Sequence, residues 1–140
     1  MSWDGYIDNL VAHSTDTSGI SHVDKACIIG LDGGSGWTTS AHAKALQLDS
    51  SEACCLAKAL KNNDFSTFQS NGVLCEGTKY QFLRVDPDGM VLGKKKDKGS
   101  ITVAATKTAV VVAHTKEGCQ QGNANKAVMV IVDYLKGLNL

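Results

Sequence analysis

The chain has no net charge to offer a partner: fourteen Lys and Arg balance fourteen Asp and Glu. That excludes the basic footprint of a general nucleic-acid binder, and any charged partner must meet a local patch. No apolar stretch approaches the length of a membrane span. The opening residues, Met1-Ser2-Trp3-Asp4-Gly5-Tyr6, have neither a basic start nor an apolar run, so secretion and membrane insertion are not expected. Five cysteines (Cys27, Cys54, Cys55, Cys75, Cys119) are an odd number with no C-x-x-C pair. They fit reduced thiols in a cytosolic protein, acting as small apolar fillers, better than a disulfide framework. The four histidines, His13, His22, His42 and His114, share no spacing with a nucleophile or a metal-binding partner. Solvated or structural roles are expected of them, with no metal and no cofactor.

What is present reads as one domain over residues 1–140, near the commonest domain size. Ser2 can cap a first helix whose Ile7, Leu10 and Val11 recur at the spacing of a core-facing stripe, and the helix should end before Ser14 to Gly19. Val23 to Leu31 contains Ala26-Cys27-Ile28-Ile29, an apolar run suited to a strand covered on both faces. Asp32-Gly33-Gly34-Ser35-Gly36 follows as a turn, with Trp37 to Ser40 returning as the hairpin partner. The same glycines raise phosphate binding. They lack a Lys-Ser/Thr ending, however, and lead into an expected strand, so a hairpin turn is the better reading.

Asp49-Ser50-Ser51-Glu52 reads as a capping box opening a second helix, with Ala53, Leu56, Ala57 and Leu60 on its buried face and a stop at Asn62-Asn63. From Val73, short strand-like runs are punctuated by Glu76-Gly77, Asp86-Pro87-Asp88-Gly89 and the lysine-rich Lys94 to Gly99, as in an antiparallel meander. Tyr80 and Phe82 alternate with Lys79, Gln81 and Leu83, and Ile101, Val103 and Ala105 with Thr102 and Ala104, the pattern of half-buried strands. Ala109 to Ala113 reads as a final strand. Asn123 to Leu135 has strand composition at Val128 to Val132, yet runs for a helical length and stops at Lys136-Gly137, so a closing helix is expected. With no repeated strand-helix-strand crossover, the order implies an α+β fold: an antiparallel sheet with helices on both faces.

Chemistry-bearing features are sparse. Cys54-Cys55 admits a thiol-enzyme reading, although adjacent helical residues point about 100° apart, so at least one should be packed. Lys94, Lys95, Lys96 and Lys98 form either a solvated turn or the contact for an anionic partner, an acidic protein face or phosphoinositide headgroups. Trp3 and Tyr6 are neighbours on one helical face, offset from the Ile7 and Val11 stripe. If the first and last helices lie side by side, Tyr134 comes close to both. Spacing alone allows two readings of these rings. They pack between the helices, or they form a flat surface whose indole N–H and phenol O–H serve the carbonyls of a proline-rich ligand.

Trp3-Asp4-Gly5-Tyr6-Ile7-Asp8 resembles the N-terminal signature of the profilins, W-x-x-Y-I/V-D. The likeness extends over the whole chain: Trp37 after the first turn, the hairpin-rich middle, the Lys94 to Lys96 block and Asp133-Tyr134-Leu135 in the closing helix. The resemblance implies a central antiparallel sheet of about six to seven strands with helices on both faces, the N- and C-terminal helices side by side on one of them. It implies no enzyme but a cytoplasmic, cytoskeleton-associated monomer that binds monomeric actin, regulates its polymerisation, and takes proline-rich proteins and phosphoinositide headgroups at the membrane surface. By resemblance the polyproline site falls on Trp3, Tyr6, Asn9, Trp37, Tyr134 and Leu140. The actin face falls on Lys79, Leu83, Arg84, Lys94, Lys96, Cys119, Gln120, Gly122, Asn125, Lys126 and Met129. Phosphoinositides would meet Arg84, Lys94, Lys95, Lys96 and Lys98, so lipid and actin should compete.

Three departures from the family pattern stand out. Leu140 ends the chain where many profilins have an aromatic, Gln69-Ser70 replaces a bulky apolar pair of vertebrate members, and Gln120 stands where those have histidine. The departures motivate a second reading, a phosphoinositide and proline-rich adaptor with weak or lost actin binding.

Overall fold

A computed structural model describes residues 3–39, 42–87 and 89–140. Ten elements follow in order: α1 (Gly5–His13), β1 (Val23–Gly30), α2 (Ser50–Asn62), α3 (Ser66–Asn71), β2 (Val73–Cys75), β3 (Thr78–Val85), β4 (Val91–Lys95), β5 (Gly99–Ala105), β6 (Ala109–Thr115) and α4 (Gln121–Gly137). The strands form one sheet of six in the order β1-β6-β5-β4-β3-β2. Every pairing is antiparallel.

The alternation of strand side chains divides the interior into two layers. Ile28 and its partner Val111 point to one face, where they meet Ile7 and Leu10 of α1 and Ala127, Val128, Ile131 and Leu135 of α4. Ile29, Val110 and Val112 point to the other, against Ala53, Leu56 and Ala57 of α2 and Phe68 of α3. The expected α+β sheet, covered on both faces with the terminal helices together on one, is therefore the architecture observed. Its double cover also corrects one expectation. β5 is not a half-buried strand, because Thr102 and Ala104 are as buried as Ile101 and Val103. The methyl groups of Thr and Ala fit beneath α4, and Thr102 donates its hydroxyl hydrogen to Asn125 Oδ1 at 2.7 Å.

Helix α2 begins as its sequence requires. Asp49 accepts from the Glu52 amide and Glu52 accepts from the Asp49 amide, closing the capping box. The helix ends at Asn63 in the left-handed conformation (φ 52°). Glu52 reaches further than a cap needs. Buried, it also accepts from the amides of Glu76 at 3.1 Å and Gly77 at 2.8 Å, tying the two-residue β2–β3 turn to α2. Both turn residues have positive φ, 52° and 73°, as a tight hairpin turn demands.

Two other expectations change. Trp37 to Ser40 does not return as a strand, and Ser40 itself lies outside the described residues. The amides of Trp37 and Thr38 both donate to the Ile28 carbonyl, while the Ile28 amide donates to Thr38 Oγ1. A side chain thus replaces the ladder beyond a single antiparallel bridge of Ile29 with Gly36, and β1 is also flanked by a short parallel contact of Ala26 with Ala45. The first helix starts at Gly5 with Asp4 in the cap position; the expected cap, Ser2, lies outside the described residues, as does Asp88 of the expected Asp86 to Gly89 turn.

Candidate functional site: an aromatic face and a basic face

Trp3 precedes α1 and Tyr6 lies in its first turn, so their rings stand 5.2 Å apart. Trp37 arrives from the segment after β1 and packs on Trp3 at 4.7 Å, tilted by 49°. Gly30 leaves room for it: a Cβ there would stand 3.0 Å from the indole nitrogen. Tyr134 of α4 completes the row, 6.2 Å from Tyr6. The fold thus brings together four rings from three stretches of chain, and it grades their exposure. Tyr6 is buried, Trp3 and Trp37 are half-buried, and Tyr134 is 50 % exposed. Burial, with a smaller contribution from Tyr134, pushes the Tyr6 phenol above its ordinary value, so it stays a hydrogen-bond donor at neutral pH.

Beside the rings runs a groove of about 350 Å³ between α1 and α4, lined by Gly5, Tyr6, Asn9, His13, Val130, Ile131 and Tyr134. Asn9 and Tyr134, both expected at the site, line it. His13, Val130 and Ile131 were not expected. Helical spacing would have found two of them, since His13 follows Asn9 by four and Val130 precedes Tyr134 by four. Leu140 folds back on its own helix, its amide donating to the Leu135 carbonyl at 2.9 Å while its carbonyl accepts from Lys107 at 2.8 Å. It packs against the same core as Trp3 and Trp37.

The second residue set lies on the open part of the sheet beside α4. Arg84 pairs opposite Leu92, whose side chain enters the α1/α4 layer, so Arg84 shares that face. Gln81 pairs with Lys94, which places Lys94 and, two residues before Gln81, Lys79 on the same side. Gly122, Lys126 and Met129 form one stripe of α4, with Asn125 beside it. Asn125 is partly spent on Thr102, and Met129 packs against the core. Leu83 is exposed at 48 %, an apolar contact on a basic face. Lys95 falls at the alternate position of β4, and Arg84 sits on β3 opposite Leu92, away from the β4–β5 turn that carries the lysines, so the five expected phosphoinositide contacts share neither one hairpin end nor one sheet face.

Two histidines brace this region, which bears out structural roles for them. His22 is buried; its Nε2 meets Asp16 at 2.9 Å and its Nδ1 accepts the amide of Gln120 at 2.8 Å, fixing the start of α4. His114 turns Nδ1 to the Asp24 carboxylate and Nε2 to the Lys98 carbonyl at 2.6 Å, fixing the lysine-rich turn. Desolvation pulls the His114 pKa down, but the bond to Asp24, the Lys98 carbonyl and the charges of Asp24 and Glu76 outweigh it, and the net shift is upward.

The cysteines divide. Cys27 and Cys75 are buried fillers, as expected; burial pushes Cys27 up to about 12 and Cys75 well above its ordinary value. Cys55 packs partly against the core beneath α2. Cys54 is exposed and fills nothing, because its helix turns it outward, and Cys119 is only half-buried. Among the described residues no group of three or more His, Cys, Asp or Glu side chains could hold a metal ion. No helix among them is long and apolar enough to cross a membrane.

These features can be set beside known proteins. The profilin family profile matches residues 1–140. The profilin of Suberites domuncula is 58 % identical over 140 residues, covering all of both chains. Among solved structures, Acanthamoeba castellanii profilin II superposes with a TM-score of 0.79 at 31 % identity, over 99 % of this chain and all of the other. Mouse profilin IIa in complex with a double repeat from the FH1 domain of mDia1 shares the fold, with a TM-score of 0.72 at 22 % identity over the full length of both chains. Signature, sheet order and full-length similarity agree: the chain belongs to the profilin family.

Proposed function

We propose that this profilin binds monomeric actin through its basic face and proline-rich segments through its aromatic face, and so regulates actin polymerisation in the cytoplasm. The observation that carries the reading is the row of four rings beside an open groove, with Trp3 and Trp37 in contact and Tyr134 half exposed. Packing alone does not require the row to end in an exposed ring at an open groove, as it does here. Flat faces suit pyrrolidine rings, and phenol and indole donors serve carbonyls that proline leaves unpaired. Mouse profilin IIa, which shares the fold, forms a complex with a double repeat from the FH1 domain of mDia1, in keeping with a peptide-binding role.

For actin, Arg84, Lys79, Lys94, Lys96 and Lys126 meet carboxylates of an acidic partner, while Leu83 and Met129 supply apolar contact beside Cys119, Gln120, Gly122 and Asn125. Phosphoinositide headgroups would take Arg84, Lys94, Lys95, Lys96 and Lys98 and compete with actin. Titration with a polyproline peptide, followed by tryptophan fluorescence, and inhibition of actin assembly test the two halves. If neither partner binds, the reading is wrong. Exposed Gln69, Ser70 and Gln120 favour the adaptor alternative on the actin side; vesicle co-sedimentation without actin binding would select it.

A further inference from the structure

We propose that Asp4, by closing its carboxylate on Thr39, positions Trp37 against Trp3 and thereby sets the affinity of the aromatic face for proline-rich segments. The inference rests on the reading of that face given above and assigns a role to two residues outside it.

An aspartate in the cap position ordinarily accepts amides of the first helical turn. Asp4 does not: it has helical angles (φ −60°, ψ −26°) and makes no side-chain cap bond. Its two oxygens reach across the sequence instead. Oδ1 accepts the Thr39 amide and Oδ2 accepts the Thr39 hydroxyl hydrogen, each at 2.6 Å. Short bonds to an ionised acceptor are the strong kind, and two from one residue fix orientation as well as distance. The hydroxyl bond, then the amide bond, holds the Asp4 carboxyl below its ordinary pKa, so the clasp is charged at neutral pH.

Placement gives the clasp its meaning. Asp4 follows Trp3 directly, and Thr39 lies two residues beyond Trp37. The rings therefore belong to two stretches of chain joined by this bond next to the place where the rings touch. On its other side Trp37 is anchored to β1, through the Ile28 carbonyl. That bond fixes Trp37 to the sheet but not to α1. One turn further along α1, Asp8 Oδ1 meets His42 Nε2 at 2.8 Å. Asp4 and Asp8 share a helical face, so α1 grips the segment after Trp37 at two points. A binding surface whose rings are already in place loses less side-chain freedom when the ligand arrives.

Trp3 and Trp37 are the two tryptophans of the chain, so the exciton couplet of its circular dichroism reports their contact without a ligand. Asp4→Ala and Thr39→Val should each reduce the couplet and weaken polyproline peptide binding by about two- to tenfold, the range set by ordering one side chain. The double variant should be no worse than Asp4→Ala, which already removes both bonds, and Thr39→Val, which keeps the amide bond, should show the smaller effect. Thr39→Ser, which keeps the hydroxyl, should restore both readouts. If Asp4→Ala fails to fold, Thr39→Val alone decides. Parent-like couplet and affinity in the single variants would overturn the clasp while leaving the proline-rich reading intact. A parent protein that binds no peptide would refute that reading and, with it, the clasp's role in binding.

Discussion

Replacing Tyr134 by alanine separates a ligand-binding ring from a packing ring. Tyr134 is half exposed and, among the described residues, makes one ring contact, to Tyr6 at 6.2 Å. An aromatic pair contributes about 0.5–1.5 kcal/mol beyond area burial, and a contact this long belongs at the low end, so Tyr134→Ala should cost below about 1 kcal/mol. Trp3 is half-buried and touches two rings, at 5.2 and 4.7 Å. Its removal also leaves apolar space in the terminal-helix core, and Trp3→Ala should cost about 3 kcal/mol. For a chain of 140 residues, unfolding entropy converts about 0.3 kcal/mol into one degree of melting temperature. The expected shifts are about 10 °C for Trp3→Ala and under about 3 °C for Tyr134→Ala. Binding should follow a different order. Both rings contact the groove or its rim, and a truncated aromatic at the centre of an interface loses about 2 kcal/mol or more, roughly thirtyfold in Kd. Calorimetric titration with a polyproline peptide alongside thermal melts measures both quantities. Normal peptide affinity in Tyr134→Ala would refute the assignment of the exposed ring to ligand binding.

Three further outcomes follow from the same coordinates. The His114 ring faces two acceptors and its folded pKa is raised. Its stabilising contribution is complete below about pH 6.5, the unfolded value, and fades as pH rises through the higher folded value. Urea midpoints should therefore fall more from mildly acidic to mildly alkaline buffer in the parent than in His114→Gln, and parallel curves would count against it. Glu52→Ala leaves the amides of Asp49, Glu76 and Gly77 without their acceptor, which should cost about 3 kcal/mol, or roughly 10 °C; a loss below about 1 kcal/mol would show that water replaces the carboxylate freely. Alkylation followed by mass spectrometry should label exposed Cys54 first and leave Cys27 and Cys75 untouched until the protein unfolds. Early labelling of either buried thiol would contradict their raised pKa.

Where local chemistry decides structure, the sequence was legible. Asp49 and Glu52 announce a capping box, and the box forms at those residues. The apolar run of β1 announced burial on both faces, and both faces are covered. Where distant parts decide, it was not. Thr102 and Ala104 are polar or small enough to read as the outer face of β5, yet α4 settles on them. Trp37 to Thr39 had strand-like composition, but the amides of Trp37 and Thr38 converge on the single carbonyl of Ile28 and that of Thr39 goes to Asp4. Helix α3 was missed because its six residues carry no capping side chain and bury only Phe68. Trp3 and Tyr6 were visible as neighbours, and Tyr134 as their companion once the terminal helices were placed together. The contact of Trp37 with Trp3 had no local signal, since it depends on Asp4 choosing Thr39 over its own helix.

The groove between α1 and α4 joins the beginning of the chain to its end, with six strands and two helices formed in between. Closing so long a loop is worthwhile only after the sheet provides a floor for both helices. During synthesis α1 emerges with Trp3 and Tyr6 long before Tyr134, and its apolar stripe has no permanent partner until α4 has formed. On the function proposed above, a segment without α4 would also lack the groove, so proline-rich ligands would be taken only once both helices have settled on the sheet.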